Sequence, residues 1–257
     1  MRTHLFIPDT QVKDGVLIDH IKALARFTVM KKPDVIIMIG DWWDMPSLSS
    51  YEDKGSKYFH DKSYRKDIDA GNKAMKLYMD IINAEIKRIQ KNKKKSWKPE
   101  MHFCLGNHED RISRAIRANP ILEGTISLND LYLDGWQVHG YLEIVEVDGI
   151  LYSHYFVNPD SMTNNPVAGT IETKLKALGH SFSMGHQQRR QYGLRYTATG
   201  RELHGLVCGS FYMQDEQYLG PQKNRQHWRG VVVKHEVKNG SYDPMFVSLD
   251  YLVEKYL

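Results

Sequence analysis

A run of five apolar residues at positions 35–39 constrains the fold of this chain more than any other feature of its sequence. A strand that is apolar at every position is typical of a sheet covered on both faces. A short strand at residues 3–8 precedes it, and residues 16–30 between the two have apolar side chains at helical spacing. Strand, helix and strand within about 40 residues predict a βαβ unit.

The rest of the chain contains further helices and many strands. Apolar spacing predicts helices at residues 68–91, 111–118 and 168–178. Further strands are predicted at residues 101–105, 143–147, 150–154, 181–184, 205–210, 231–237 and 245–249. The Asp148-Gly149 pair between two of these strands predicts a hairpin. Together these elements predict an α/β fold in which two packed mixed sheets are flanked by helices.

The length of 257 residues is compatible with a single domain, and we predict one domain spanning residues 1–257. No stretch approaches the roughly 18 consecutive apolar residues that a membrane span needs. The first residues lead directly into a strand, so we expect no signal peptide, no membrane partner and a cytoplasmic location. Cys104 and Cys208 each lie in an apolar strand and are predicted to be free thiols.

Short polar blocks follow the predicted strands. The blocks read Asp9-Thr10-Gln11, Gly40-Asp41-Trp42-Trp43-Asp44, Gly106-Asn107-His108-Glu109, Ser153-His154 and Gly185-His186-Gln187-Gln188. Any one of them is weak evidence, since Gly-Asn-His is a plausible turn and Asp44 alone could cap a helix. Ligand sites of open α/β sheets lie at strand ends, so five blocks at strand ends predict one shared site of carboxylates, amides and imidazoles.

The order and chemistry of these blocks resemble the calcineurin-like metallophosphoesterases over nearly the whole chain. In that family the blocks read Asp-x-His, Gly-Asp-x-x-Asp, Gly-Asn-His-Asp/Glu, a lone His and Gly-His-x-His, and they bind two metal ions that hydrolyse phosphate esters. The resemblance implies a four-layer α/β/β/α sandwich. Gln11 and Gln188 stand where the family usually has histidine. The Asp-Thr-Gln-Val, Gly-Asn-His-Glu-Asp-Arg and Gly-His-Gln-Gln segments resemble small members encoded by tailed bacteriophages and prophages. This resemblance implies a role in host or viral nucleotide metabolism in the cytoplasm of an infected cell.

The resemblance implies two metal sites that share Asp41 as a bridging carboxylate. The intact site mixes imidazole and oxygen donors, which suits iron, zinc or manganese; its other ligands would be Asn107, His154 and His186. The first site would comprise Asp41 with Asp9, Gln11 and Gln188. Amide oxygens are harder donors than imidazoles, so the first site should prefer manganese, magnesium or calcium and bind it more weakly.

We therefore expect two divalent ions, with manganese the first choice and a labile ion in the first site. Two alternatives remain open. The first site could fill only when substrate arrives, or the protein could hold a single metal while Gln11 and Gln188 turn away from it.

Catalytic roles also come from the resemblance, which implies hydrolysis by a metal-activated hydroxide. His108 stands where the family has a non-ligand histidine that protonates the leaving oxygen or holds the phosphate; the alternative is a turn histidine bonded to the backbone. Asp44 would orient it, and Glu109 could assist. Arg111 could contact phosphate or simply be solvated. Three residues after the lone histidine could line the substrate cleft: Tyr155, Phe156 and Asn158.

Other features outside the blocks bear on the substrate. Trp42 and Trp43 could stack on a base or an aryl group, but core packing is favoured for both. The basic residues around positions 87–98 are either a solvated helix end or a nucleic-acid patch. The polar insert at residues 45–67 is expected to be a loop near the site, and residues 212–228 a lid or a subunit contact.

The favoured function is a phosphodiesterase acting on nucleic acid or nucleotides. The basic helix end, the net charge of +4 and the aromatic residues available for stacking support this choice. A phosphomonoesterase is the alternative, and it should have an enclosed, strongly cationic pocket. A catalytically degenerate binding protein is a further alternative, motivated by the two missing imidazoles. The sequence leaves the natural ester and the oligomeric state open.

Overall fold

The computed structural model describes residues 1–49, 62–92, 96–159, 162–216 and 220–257. The strands are β1 (Arg2–Ile7), β2 (Val35–Met38), β3 (Glu100–Cys104), β4 (Gln137–His139), β5 (Val145–Val147), β6 (Ile150–Tyr152), β7 (Phe182–Met184), β8 (Arg190–Tyr196), β9 (Glu202–Cys208), β10 (Gly230–Lys238) and β11 (Ser241–Ser248). The helices are α1 (Asp19–Lys31), α2 (Tyr64–Lys91), α3 (Asp110–Ala118), α4 (Ile171–Leu178), α5 (Gly220–Asn224) and α6 (Leu249–Tyr256).

The described strands form two mixed sheets, which confirms the predicted α/β fold at this level. The first sheet has the order β11-β10-β1-β2-β3-β4, and its strands β1 to β4 are parallel. The second has the order β5-β6-β7-β9-β8, with β6, β7 and β9 parallel. The parallel strands of each sheet end at the same edge, so the polar blocks that follow them come together.

Side chains on β1 and β2 alternate between two hydrophobic clusters. Phe6 and Ile37 point toward the second sheet, where they pack in a cluster with Tyr152 and Leu206. The strand residues on the other face are Leu5, Ile7, Ile36 and Met38. They pack in a cluster with apolar residues of α1, α2 and α6. Both faces of the central strands are therefore covered, which explains why residues 35–39 are apolar throughout.

The outer face of the second sheet is covered by α4. Leu175 of this helix packs with Phe182, Met184 and Leu203 in a third cluster. The predicted hairpin at Asp148-Gly149 is confirmed, because Val147 pairs with Ile150 and both turn residues have positive φ angles of 51° and 81°. Cys104 and Cys208 are buried and free, as predicted.

Several predicted boundaries differ from the structure. Helix α2 begins at Tyr64 rather than Ile68, because Asp67 in its first turn is buried and accepts a hydrogen bond from Ser47 N at 2.9 Å. The rest of the insert predicted as a loop lies largely outside the described residues, as do the three lysines at positions 93–95. The segment 212–228 contains the short helix α5. Strands β4 and β8 and helix α6 were not predicted.

No helix in the described ranges combines the length and the apolar character that crossing a bilayer requires.

Candidate metal centre

The ends of five parallel strands bring the predicted ligands together. Asp9, Asp41 and Asn107 follow β1, β2 and β3 of the first sheet, while His154 and His186 follow β6 and β7 of the second. The loops after β1 and β2 are joined by hydrogen bonds from Thr10 N and Gln11 N to Asp41 O, at 3.0 and 2.8 Å. Three of the predicted ligand residues have positive φ angles: Gln11 at 45°, Asp41 at 53° and His186 at 61°.

The side chains predicted for the intact site are in direct contact. The Oδ1 atom of Asn107 lies 2.9 Å from Nε2 of His154 and 2.8 Å from Nδ1 of His186. Asp41 Oδ2 is 3.3 Å from the same His154 nitrogen. Asp41, His154 and His186 each offer a ligand atom within 4.8 Å of the others, so this group could hold a metal ion.

Hydrogen bonding fixes which nitrogen of His154 faces the site. Its Nδ1 donates to the carbonyl oxygen of Ile39 at 2.8 Å, which leaves Nε2 directed at Asn107 and Asp41. Burial alone would lower the pKa of this imidazole, but Asp41 outweighs burial and raises it to about 9. His186 differs, because burial and the charge of His154 lower its pKa to about 4. The neutral ring is the form that binds a metal.

Asp9 provides a separate test of whether the site fits a cation. Its side chain is fully buried, Oδ1 accepts a hydrogen bond from His186 N at 3.0 Å, and Oδ2 has no hydrogen-bond partner among the described residues. Burial and the neighbouring Asp41 raise the pKa of Asp9 to about 7. A buried carboxylate oxygen without a donor is costly, and a bound cation would compensate that cost. The residues present therefore fit a metal site.

Two glycines allow the backbone to approach these carboxylates. A Cβ atom added to Gly106 would lie 2.1 Å from Asp41 Oδ1, and one added to Gly185 would lie 2.3 Å from Asp9 Oδ1. Both distances are far inside van der Waals contact. The glycines in two of the predicted blocks are thus required by the close packing of the carboxylates.

The two glutamines are placed differently. Gln11 is buried, and its backbone carbonyl oxygen accepts a hydrogen bond from Gln214 Nε2 at 3.2 Å. The side-chain oxygen of Gln188 accepts a hydrogen bond from the hydroxyl of Tyr212, which also contacts His227 Nδ1 at 3.0 Å. An amide oxygen has two lone pairs, so this hydrogen bond occupies only one of those on Gln188.

Glu109 has a role that the sequence did not indicate. Its carboxylate is completely buried and accepts four backbone hydrogen bonds. The donors are Asp41 N at 2.9 Å, Trp42 N at 2.8 Å, Trp43 N at 3.1 Å and Gly106 N at 2.8 Å. Rather than assisting His108, Glu109 joins the loops after β2 and β3.

His108 and Asp44 are in contact, as the predicted pairing requires. His108 Nδ1 lies 2.7 Å from the carbonyl oxygen and 3.0 Å from the Oδ1 atom of Asp44, and its Nε2 lies 3.7 Å from Asp41 Oδ2. Burial would lower the pKa of His108, but Asp41 and Asp44 outweigh it and the net shift is upward. His108 therefore has both a backbone bond and the carboxylate partner of an acid or phosphate-binding group.

Arg111 is buried rather than solvated. Its Nη1 donates to the carbonyl oxygens of Asp44 and Met45 at 2.7 and 3.1 Å, and its Nη2 lies 3.2 Å from His108 Nε2. These contacts make Arg111 a positioning residue for the loop that carries Asp44. Its contact with phosphate stays a prediction.

Lys13, which the sequence did not indicate as a site residue, forms an ion pair with the second carboxylate oxygen of Asp44. Lys13 Nζ lies 3.0 Å from Asp44 Oδ2 and 3.0 Å from Glu216 Oε1. Burial would raise the pKa of Asp44, but His108 and Lys13 outweigh it and hold the pKa well below its usual range. Asp44 is therefore ionised, and the segment after Tyr212 is tied to the site through Glu216.

The aromatic residues divide between the core and a cleft. Trp42 and Trp43 are fully buried, which confirms core packing, and Phe156 is buried in the cluster under α4. Tyr155 lines a cleft of about 900 Å³ that also includes Asn107 and His186. The described wall of this cleft includes Val157 and not Asn158, whose backbone N–H donates to Asn165 O at 3.0 Å.

Comparisons of the sequence with protein-family models and with curated proteins gave no match, so the interpretation of this site rests on its own geometry.

Proposed function

We propose that this protein is a metal-dependent phosphoesterase of the calcineurin-like type. The observation that carries the proposal is the convergence of Asp41, Asn107, His154 and His186 from strand ends of two sheets. Beside them lies Asp9 Oδ2, for which the described part of the chain provides no hydrogen-bond partner. The packing of helices on the outer faces of the two sheets supports the four-layer α/β/β/α sandwich of that family.

The proposed metals are two divalent ions, with manganese the first choice. Asp41, Asn107, His154 and His186 would hold one of them. The other would be held by Asp9, Gln11, Asp41 and Gln188. When bound, such ions supply Lewis acidity and lower the pKa of water, which is the chemistry that hydrolysis of a phosphate ester requires.

The remaining site residues would position groups and move a proton. His108 would hold a proton at Nε2, toward Asp41, and give it to the leaving oxygen or hold the phosphate; its raised pKa supports this role. Asp44 would fix the orientation of its ring through Nδ1, and Arg111 would hold the carbonyl oxygen of Asp44 in place. Tyr155 and its neighbours would exclude water from one side of the reacting centre.

A diester is the favoured substrate, and nucleic acid or a nucleotide the favoured source. The cleft next to Asn107 and His186, at about 900 Å³, has room for an organic group on the second ester oxygen. A phosphomonoesterase would need a smaller, enclosed cationic pocket. We also propose that the protein acts in the cytoplasm.

The experiment is to strip the protein with chelator, add back manganese, magnesium, zinc or iron singly, and compare bis(p-nitrophenyl) phosphate with p-nitrophenyl phosphate. We expect turnover that needs added metal and prefers the diester. Asp41→Asn should abolish it, while Asp134→Asn, at an exposed position, should not. Preference for the monoester would favour the alternative, and no turnover with any metal would favour a binding protein.

A further inference from the structure

The cleft that begins at Asn107 and His186 extends along helix α3. Arg114 and Arg117 of this helix line one wall together with Asp110. Tyr141 and Tyr155 line the same cleft. The cleft therefore runs from the proposed metal ligands to a pair of guanidinium groups.

The two arginines give this part of the cleft a surplus of positive charge. Arg114 Nε and Arg117 Nη2 lie 3.6 and 3.5 Å from the same oxygen, Oδ2 of Asp110. Arg114 also donates to the carbonyl oxygen of Asn107, at 3.4 Å. Among the described residues these are the partners of the two side chains, so most of their N–H donors are available to a ligand. One carboxylate balances only one of the two charges.

Hydrogen bonds hold the two tyrosines of the cleft in place. The hydroxyls of Tyr141 and Tyr155 are 2.8 Å apart, and Tyr155 donates to the carbonyl oxygen of Asn164 at 3.0 Å. The ring of Tyr155 lies 4.8 Å from the imidazole of His186. Leu142, which also lines the cleft, has a φ angle of 64°, a conformation that is unfavourable for a bulky residue.

We propose that this cleft binds one arm of a phosphodiester substrate and that this arm carries a second phosphate, which Arg114 and Arg117 bind. The inference rests on the proposed phosphoesterase function, because it places the scissile phosphate beside Asn107 and His186. Paired guanidinium groups match phosphate geometry through charge-assisted hydrogen bonds. A sugar or base between the two phosphates would pack along the tyrosine wall. The substrate class is thus a nucleotide chain rather than a compact diester.

The test uses the manganese-loaded full chain and two pairs of chromogenic diesters. In each pair thymidine carries a p-nitrophenyl phosphate on its 5′ or its 3′ oxygen, and the two members differ only in a phosphate on the other oxygen. We expect the second phosphate to raise kcat/KM by about tenfold or more in at least one pair, mainly by lowering KM. Arg114→Gln and Arg117→Gln should each reduce this preference several-fold.

The matched control is Arg201→Gln. Arg201 is exposed in the turn after β8. Gln188 precedes the other end of this strand, and the length of β8 is about 20 Å. This variant should keep the wild-type preference for the second phosphate. A wild-type enzyme that hydrolyses both members of each pair equally, or a preference that both cleft variants retain, would overturn the inference without affecting the proposed function.

If no ester is hydrolysed, nucleotide binding still tests the second-phosphate site separately from the proposed phosphoesterase function. Calorimetry would compare thymidine 3′,5′-bisphosphate with the two thymidine monophosphates on the same proteins. Tighter binding of the bisphosphate that Arg114→Gln and Arg117→Gln weaken would support the cleft as a phosphate site even in a protein without turnover. Equal binding of all three nucleotides would overturn it.

Discussion

The hydroxyl of Tyr212 donates a hydrogen bond to the side-chain oxygen of Gln188. The same hydroxyl lies 3.0 Å from His227 Nδ1, and burial lowers the pKa of His227. The amide of Gln188 is therefore held in one orientation by residues outside the polar blocks. A glutamine is a weaker and more flexible ligand than a histidine, so an outer partner of this kind matters more for it.

Removing the Tyr212 hydroxyl should weaken metal binding at the first site. Tyr212→Phe leaves Gln188 free to rotate, and loss of such a partner typically costs about 10- to 100-fold in metal affinity. Calorimetric titration with manganese would measure the change in the weaker of two binding steps. Tyr251→Phe, at an exposed tyrosine of α6, is the control and should titrate like the wild type. An unchanged Tyr212→Phe titration would indicate that Gln188 is not a ligand.

Glu109→Gln should lower stability sharply. The neutral amide can replace only one of two carboxylate oxygens, so donors among the four backbone N–H groups would face an NH₂ group in a buried site. We expect a loss of about 2 to 4 kcal/mol in the free energy of unfolding, measured in urea. Glu146→Gln, exposed on β5, should change stability by less than about 0.5 kcal/mol. Similar losses in the two variants would contradict the assigned role.

Gly106→Ala should disturb Asp41. The added methyl group would overlap Asp41 Oδ1 at 2.1 Å, so either the carboxylate or the backbone must move. We expect a loss of about 1 to 3 kcal/mol in stability and weaker manganese binding. Gly140→Ala is the control, because its nearest atom is the end of the flexible Glu143 side chain at 3.3 Å. Thermal unfolding and manganese titration of both variants would test this; an undisturbed Gly106→Ala would contradict it.

His20 should make the protein sensitive to mild acid. Its ring is buried, neither nitrogen has a hydrogen-bond partner among the described residues, and burial lowers its pKa to about 4. Between this value and the unfolded pKa of about 6.5 the unfolded chain binds a proton that the folded chain does not. The free energy of unfolding should therefore fall as the pH decreases from about 6.5 to 4, by about 3 kcal/mol in total.

His20→Leu isolates this contribution from other titrating groups. The variant has no imidazole to protonate, and its new side chain should pack against Phe211, whose ring lies 5.6 Å from that of His20. Urea unfolding at several pH values between 7.5 and 4.5 would show a stability gain over the wild type that grows as the pH falls. A constant difference across this range would rule out His20 as the titrating group.

Local sequence patterns predicted the elements that have strong apolar signals. The five apolar residues at positions 35–39 indicated a doubly covered strand, and β2 is one. Strand β8 was missed although Tyr192, Leu194 and Tyr196 alternate at the period of a strand, because the arginines and glycine of this edge strand weaken its apolar signal. Helix α6 did carry a signal, since its buried residues Leu249 and Leu252 have helical spacing.

The site was predictable only where its residues lie in the blocks. The predicted contact of Asn107 with His154 and His186 is present, as is that of His108 with Asp44. Other partnerships join distant parts of the chain without a local pattern. Lys13 and Glu216 are 203 positions apart, and neither has a neighbour that indicates the other. Such pairs depend on how the two sheets pack, which no window of the sequence contains.

The left-handed backbone at Gln11, Asp41 and His186 lowers the stability of the protein at positions that the proposed metal sites use. Each of these residues adopts a conformation that only glycine adopts freely, at a cost of about 1 to 3 kcal/mol. Glycine at any of the three would relieve that strain and at the same time remove a side chain that the proposed metal sites require. Stability alone would therefore favour glycine at these three positions, and the metal sites that we propose require a less stable backbone than glycine would allow.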